Sequence, residues 1–342
     1  MRIGIYFIVV SLSMIVLQFS CDGFTKLIDE DYRDHKAKGV LFSVLTNTDE
    51  RDTAFLSGDY YSSFVTENYK NRIYITNSVP PYFSGRSGDI YYQAELALKT
   101  HNMEIPLTFI QQNRPENIRN SFYAVEGEMV PGAVYHIRAA YDPENSKPED
   151  YYFSKWSPVS ATDTMPEVVE FELENAKLEY PKNDVSPSGG YVDVIVKDDS
   201  ERNQSYQIAI SVLLKYYDGR HSTTRLVHSQ IEQPVENIDL EIFGPSRSDI
   251  FKRDEFTDNG KKRIRFSFNS QFGPYTKESS SVILVRLTTL SNHYAQFLKS
   301  SDQYVVNEDN PFAEPVEIYS NVENGYGIFA LGSRSYGRIE VK

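Results

Sequence analysis

Cysteine occurs once in the 342 residues, at Cys21. No internal disulfide is available, and a cysteine-built zinc site is excluded. Tryptophan also occurs once, at Trp156. Basic side chains are in deficit: 35 Lys and Arg stand against 48 Asp and Glu, a formal charge of −13. A surface of that sign repels phosphate backbones and anionic headgroups, so neither nucleic acid nor electrostatic membrane adhesion is expected. The six histidines, His35, His101, His136, His221, His228 and His293, contain no i, i+4 pair of the kind that holds a metal on a helix face. A Gly-x-Ser-x-Gly elbow and a phosphate-cradling glycine loop are missing too. Beyond residue 20, no apolar run approaches the roughly 20 residues of a membrane-spanning helix. No repeat with a period of roughly 20–50 residues is visible.

What is present begins at the N-terminus. Arg2 supplies a positive charge, residues 3–20 carry none, and small Ser20 closes the apolar run. That order reads as a secretory signal peptide over residues 1–20. A cysteine directly after the small residue reads as the acylated residue of a bacterial lipoprotein, anchored to a bilayer through Cys21. Gln18 stands where leucine is usual, with Leu17 one step further out. Secretion with an unrelated cysteine and retention as an uncleaved anchor stay open as alternatives. Residues 21–38, with Asp22, Asp29, Glu30, Asp31 and Asp34, read as a solvated tether.

The remainder is rich in strand formers, with 25 Tyr and 20 Phe. Short alternating runs recur: GVLFSVLT (39–46), RIYIT (72–76), DIYYQAELALK (89–99), AVYHIRAAY (133–141), GYVDVIVKD (190–198), SYQIAISVLLKYY (205–217), RIRFSF (263–268) and SVILVRLTTL (281–290). Asp218-Gly219 and the DNGK at 258–261 are hairpin signals. The expected class is all-β, mostly: two β-sandwich-like domains, 39–165 and 166–342, divided at Met165-Pro166. The second carries one helix near 291–306, where Tyr294, Phe297, Leu298, Ser301, Tyr304 and Val305 recur at helical spacing and Ser291 can cap the start.

Candidate chemistry is sparse. Asp198, Asp199, Glu201 and Asn203 gather oxygen ligands that could hold calcium, but the run lacks the glycine and terminal glutamate of an EF-hand and reads better as a solvated strand connection. Acidic pairs are too numerous for any one to be chosen as an acid and base. No catalytic residue, cofactor or metal is assigned. The tyrosine pairs, such as Tyr60-Tyr61 and Tyr216-Tyr217, read as sheet faces, with a glycan-stacking surface as the functional alternative. Asn203-Gln204-Ser205 fits the N-glycosylation motif.

The C-terminal third carries a more specific pattern. A strand and helix, VRLTTLSNHYAQFLKSSDQ, are followed by DNPFAEPVEIYSNVENGYGIFALGSRS, with Tyr319, Ser320, Asn321, Val322, Gly325, Gly327, Ile328 and Phe329 at set positions. This resembles the Bacteroidota lipoprotein family catalogued as domain of unknown function 4249. FTDNGKKRIRFSF (256–268), DVIVKDDSERNQSYQIAI (193–210) and VPGAVYHIRAAY (130–141) resemble its middle, although NQSY departs from the family's usual Asn-Tyr-Tyr. The resemblance implies an outer-membrane lipoprotein, non-enzymatic, partnering a TonB-dependent receptor as a nutrient accessory. The acidic stretch after Cys21 is similar to the signal that sends such lipoproteins to the cell surface. Asp52-Thr53-Ala54 and Asp163-Thr164-Met165 fit the loose O-glycan motif of that phylum. A fimbrial or adhesive subunit, assembled by strand donation, and a surface hydrolase are the alternative functions.

Residues 310–332 invite two readings. Pro311 and Pro315 keep the chain extended, and Val316, Ile318, Ser320 and Val322 alternate with Glu317, Tyr319, Asn321 and Glu323 as in a half-buried strand. Ile328, Phe329 and Leu331 then return as apolar anchors. On one reading the segment closes the second domain's core. On the other, the two-glycine turn faces a partner, through Asn321, Gly325, Tyr326 and Gly327.

Overall fold

Successive side chains of a strand point to opposite faces, so an alternating sequence buries one face and wets the other. The computed structural model describes residues 38–47, 71–77, 94–101, 103–110, 122–141, 156–180, 188–198, 204–217, 222–228, 230–231, 250–252, 261–269, 278–308 and 316–341. The chain runs β1 (Gly39–Thr46), β2 (Arg72–Asn77), β3 (Ala94–Thr100), β4 (Met103–Ile105), β5 (Leu107–Ile110), β6 (Phe122–Val125), β7 (Val134–Tyr141), β8 (Val159–Thr164), β9 (Glu170–Glu179), β10 (Gly189–Lys197), β11 (Ser205–Tyr217), β12 (Ser222–His228), β13 (Gln230–Ile231), β14 (Ile250–Lys252), β15 (Lys261–Asn269), β16 (Glu278–Leu290), α1 (Asn292–Glu308) and β17 (Tyr326–Val341). The fold is mostly β, with one helix among the described residues.

Three sheets result. The largest has nine strands, ordered β12-β11-β16-β17-β1-β2-β6-β5, with β14 beside β11. Two four-stranded sheets, β4-β3-β7-β8 and β13-β15-β10-β9, face its two halves. In the first half, Leu41, Leu45, Ile73, Ile75 and Tyr123 of the large sheet pack with Leu98, Tyr135, Ile137, Ala139 and Val159 of the small one. In the second, Tyr206, Ile208, Ile210, Val212, Ile283 and Val285 pack with Val192, Val194, Val196, Ile264, Phe266 and Phe268. Each fully buried aliphatic or aromatic side chain contributes about 1.5–3 kcal/mol of transfer free energy. The alternation at 190–198 shows the rule locally: Val192, Val194 and Val196 are fully buried, while Tyr191, Ile195 and Lys197 are only partly covered on the other face.

The last strand belongs to both sandwiches. From Tyr326 to Gly332, β17 runs parallel to β1, and from Gly332 to Val341 it runs antiparallel to β16. Phe329 and Leu331 lie in the first core, whereas Ile339 and Val341 pack against the second. The crossing from Met165, a member of the first core, to Val169, a member of the second, runs alongside β17. The Ser333 hydroxyl donates to the Pro166 carbonyl, and the Ser335 hydroxyl donates to that of Val169 at 2.6 Å.

Two expectations are overturned here. Residues 322–331 close the first core, not the second: Val322, Phe329 and Leu331 all join the β1, β2, β7 and β8 cluster. The parallel pairing with β1 carries them there, and parallel pairing between distant segments leaves no local trace in sequence. Nor do residues 316–322 form a strand. Ile318 is 41 % exposed, and the one ladder contact nearby is an isolated bridge between Ser160 and Glu323. The DNGK hairpin signal falls on residues 258–260, which lie outside the described residues. By contrast β11 and β12, flanking Asp218-Gly219, do pair antiparallel.

Candidate functional site

A strand that changes neighbours part-way leaves backbone groups without a ladder partner on each side, and buried peptide groups need partners. Here asparagine side chains supply several. An amide carries a donor and an acceptor, as a peptide does. Asn321 accepts from Phe329 N at 2.9 Å and donates to Phe329 O at 2.7 Å. Asn71 does the same for Thr46, at 2.8 and 2.6 Å. Asn47 accepts from Arg334 N at 2.6 Å and donates to its carbonyl at 3.4 Å. Side-chain amides thus extend the sheet at the places where β1 and β17 lose a neighbouring strand.

Between Asn321 and Phe329 the chain turns back on itself. Val322 is buried in the first core, and Glu323 exchanges two backbone bonds with Ser160. Asn324 takes a left-handed φ of 59° and Gly327 one of 107°. A Cβ at Gly327 would overlap the Leu41 carbonyl, and one at Gly325 would sit 2.6 Å from a Val159 methyl carbon. Glycine is therefore required at both, for close approach to β1 and, at Gly327, for its φ as well. Tyr326, held between them, is 47 % exposed, with Lys38 Nζ 4.6 Å from its ring centroid.

A buried polar knot lies behind this turn. Asp163, 5 % exposed, accepts from Ser291 Oγ at 2.5 Å, Leu331 N at 2.9 Å and Thr164 N at 2.8 Å. Ser291 also caps α1, accepting from Tyr294 N at 3.1 Å, which is the role its position suggests. Its own amide donates to Leu331 O at 3.0 Å. Burial pushes the Asp163 carboxyl above the usual carboxylate range, against the opposing pull of its Ser291, Thr164 and Leu331 donors and the His293 charge. His293 Nδ1 lies 2.5 Å from the Tyr319 hydroxyl, and the two rings are stacked. Burial, then the Asp163 charge, raises the Tyr319 phenol.

Aspartate, serine and histidine side by side invite comparison with a nucleophilic triad. The roles do not match. In a triad the histidine takes the serine proton; here the Ser291 hydroxyl faces the carboxylate directly, and His293 faces a tyrosine. The knot joins β8, α1 and β17.

Beside it, Gln296, Lys299, Ser300 and Gln303 of α1 face Glu317, Ile318, Tyr319 and Ser320 across an open groove of about 460 Å³. Ser300 Oγ accepts from Tyr319 N at 2.8 Å and fixes that wall.

The four residues expected to face a partner separate. Tyr326 stands at the surface, Gly325 and Gly327 shape the turn against β1, and Asn321 is turned inward on Phe329, since a side chain holding both backbone groups of Phe329 is not available to a partner. Cys21 lies outside the described residues, as do Asp199, Glu201 and Asn203 of the oxygen-rich run, whereas Asp198 is buried and accepts the Tyr206 hydroxyl. Among the described residues no cluster of His, Cys, Asp or Glu is gathered to hold a metal. Asp163, the centre of the knot, entered the sequence reading only as part of an O-glycan motif. Its place in an alternating strand, at a buried position, was the signal that it had internal partners.

A family model described as domain of unknown function (DUF4249) matches residues 61–338. The chain belongs to this family. The DUF4249 match takes in the knot, the groove and the whole Asn321–Phe329 turn. It begins after β1, although in this DUF4249 chain β1 is an interior strand between β2 and β17. No curated protein matches the chain.

Proposed function

We propose that this DUF4249 chain is a non-enzymatic lipoprotein of the outer membrane, acylated at Cys21, that serves as a binding accessory to a TonB-dependent receptor. The observation that carries the reading is the presentation of Tyr326. A half-exposed aromatic ring sits on a turn that two glycines and the Asn321 amide hold rigidly to β1. Rigid aromatic anchors of this sort recur as binding hot spots. The turn also lies next to Lys38, where the chain enters the fold from the segment that follows Cys21. The polar groups that superficially resemble a catalytic set bond to one another and to backbone, which supports binding over hydrolysis. Among the described residues no helix is long and apolar enough to cross a membrane, so on this reading the lipid is the anchor.

Two measurements test it. In the native host, Cys21→Ala should be exported yet lose membrane fractionation, and a fatty-acid label should follow Cys21. A C-terminally tagged chain, gently solubilised, should co-purify with a TonB-dependent receptor, and less so as Tyr326→Ala. Recovery of self-associated ladders alone would instead favour the fimbrial subunit.

A further inference from the structure

The groove beside α1 lies between two walls that the chain fixes by itself. One wall is α1, where Gln296, Lys299, Ser300 and Gln303 share a face at spacings of three and four residues. The other is the extended stretch 317–320. Tyr319 pins that stretch twice: its amide donates to Ser300 Oγ at 2.8 Å, and its hydroxyl lies 2.5 Å from His293 Nδ1 with the rings stacked. The space between the walls, about 460 Å³, is that of a small-molecule site.

Four side chains lining it are uncommitted. Gln296, Lys299, Gln303 and Glu317 are exposed, and none has a hydrogen-bond or ion-pair partner among the described residues. Two of them are opposite charges on opposite walls. Lys299 adjoins Ser300, whereas Glu317 precedes Ser300's partner Tyr319 by two residues, about 7 Å of extended chain. The charges are therefore offset along the groove. We propose that the groove binds a short free peptide, with its carboxylate on Lys299 and its ammonium on Glu317.

The charges select the class. Near pH 7 a free peptide carries an α-ammonium and an α-carboxylate, and so pairs both. An anion would meet Glu317 and a cation would meet Lys299, while a neutral saccharide would cover two charges and neutralise neither. The amides suit the peptide groups between the ends. A side-chain amide carries both a donor and an acceptor, and Asn321 already holds both backbone groups of Phe329 in this way. Gln296 and Gln303 stand about 10 Å apart along the helix, the span of about three extended residues. Ile318, 41 % exposed on the wall of Glu317, offers an aliphatic contact for a ligand side chain. The groove is separate from the Tyr326 turn, and the inference holds whether or not that turn binds a receptor.

The test is calorimetric titration of the purified mature chain, without receptor, using the tripeptide Ala-Leu-Ala as probe. Its N-acetylated form, its C-amidated form and the neutral saccharide maltotriose are titrated alongside. Recognition through termini and backbone makes the probe's side chains secondary, so one generic tripeptide serves. The free tripeptide should bind saturably, and each capped form about tenfold more weakly, as for loss of one charge-assisted bond. Lys299→Gln should erase the preference for the free carboxylate and keep that for the free amine; Glu317→Gln should do the reverse. Both residues are exposed, so neither substitution threatens the fold. No saturable binding of the tripeptide at millimolar concentration would overturn the assignment. So would equal affinity for free and capped peptides, a Lys299→Gln variant that still prefers the free carboxylate, or binding of maltotriose in the peptide's place.

Discussion

Replacing Phe329 by alanine separates the two accounts of the C-terminal segment. The ring is fully buried, in the same cluster as Leu41, Ile73, Tyr135 and Trp156. Phe-to-Ala truncations at such sites cost about 3–5 kcal/mol, combining lost transfer energy with the cavity left behind. Trp156, the only tryptophan in the chain, is 4 % exposed and lies in this first core, so its fluorescence reports the first sandwich alone. With a urea dependence of about 2–3 kcal/mol/M, as expected for a large domain, the Trp156 transition should move down by roughly 1–2 M. Tyr326→Ala, three residues earlier on the exposed face, should shift it by less than about 0.5 kcal/mol. An unmoved Trp156 transition in Phe329→Ala would show that residues 322–331 do not complete the first core. An equal shift in Tyr326→Ala would show that the turn is core and has no surface to offer.

Gly327→Ala should destabilise more than an ordinary loop substitution, because the φ of 107° and the Leu41 carbonyl both exclude a Cβ; a loss exceeding about 1–3 kcal/mol by urea titration is expected. Asn321→Ala should lower stability by about 1–3 kcal/mol through the unpaired Phe329 amide and carbonyl, with faster exchange of the Phe329 amide. Asp193 is held below the usual carboxylate range by its hydrogen bonds to Arg265, at 2.7 and 2.9 Å, despite its burial. Its contribution is present above the ordinary aspartate range and is lost as pH falls through the lower folded value. Arg265→Ala should therefore flatten the acid limb of the stability profile, and an unchanged limb would remove Asp193 from its causes.

Local chemistry was legible in the sequence wherever a residue's neighbours are also its sequence neighbours. The runs at 190–198, 205–217 and 281–290 became β10, β11 and β16 because their own alternation selects a buried face. Ser291 caps α1 because a hydroxyl three residues before an unpaired amide suffices. What stayed hidden depends on distant partners. The alternation Val316, Ile318, Ser320, Val322 looks like a strand, yet its backbone docks on Ser300 and Ser160 and only Val322 reaches a core. Asn321 reads as a surface residue until β17 arrives to be bonded. Asp163 falls in phase with buried Val159 and Ala161, but its partners Ser291 and Leu331 are 128 and 168 positions away.

The shared strand has a consequence for when the chain can fold. Asn47 and Arg334, bonded at the crossing, are 287 positions apart, and both sandwiches draw core residues from β17. Neither half can finish folding until β17 has been synthesised, and closing so long a loop is slow. Loss of the sixteen residues of β17, Tyr326–Val341, would leave two open sandwiches rather than one damaged domain beside an intact one.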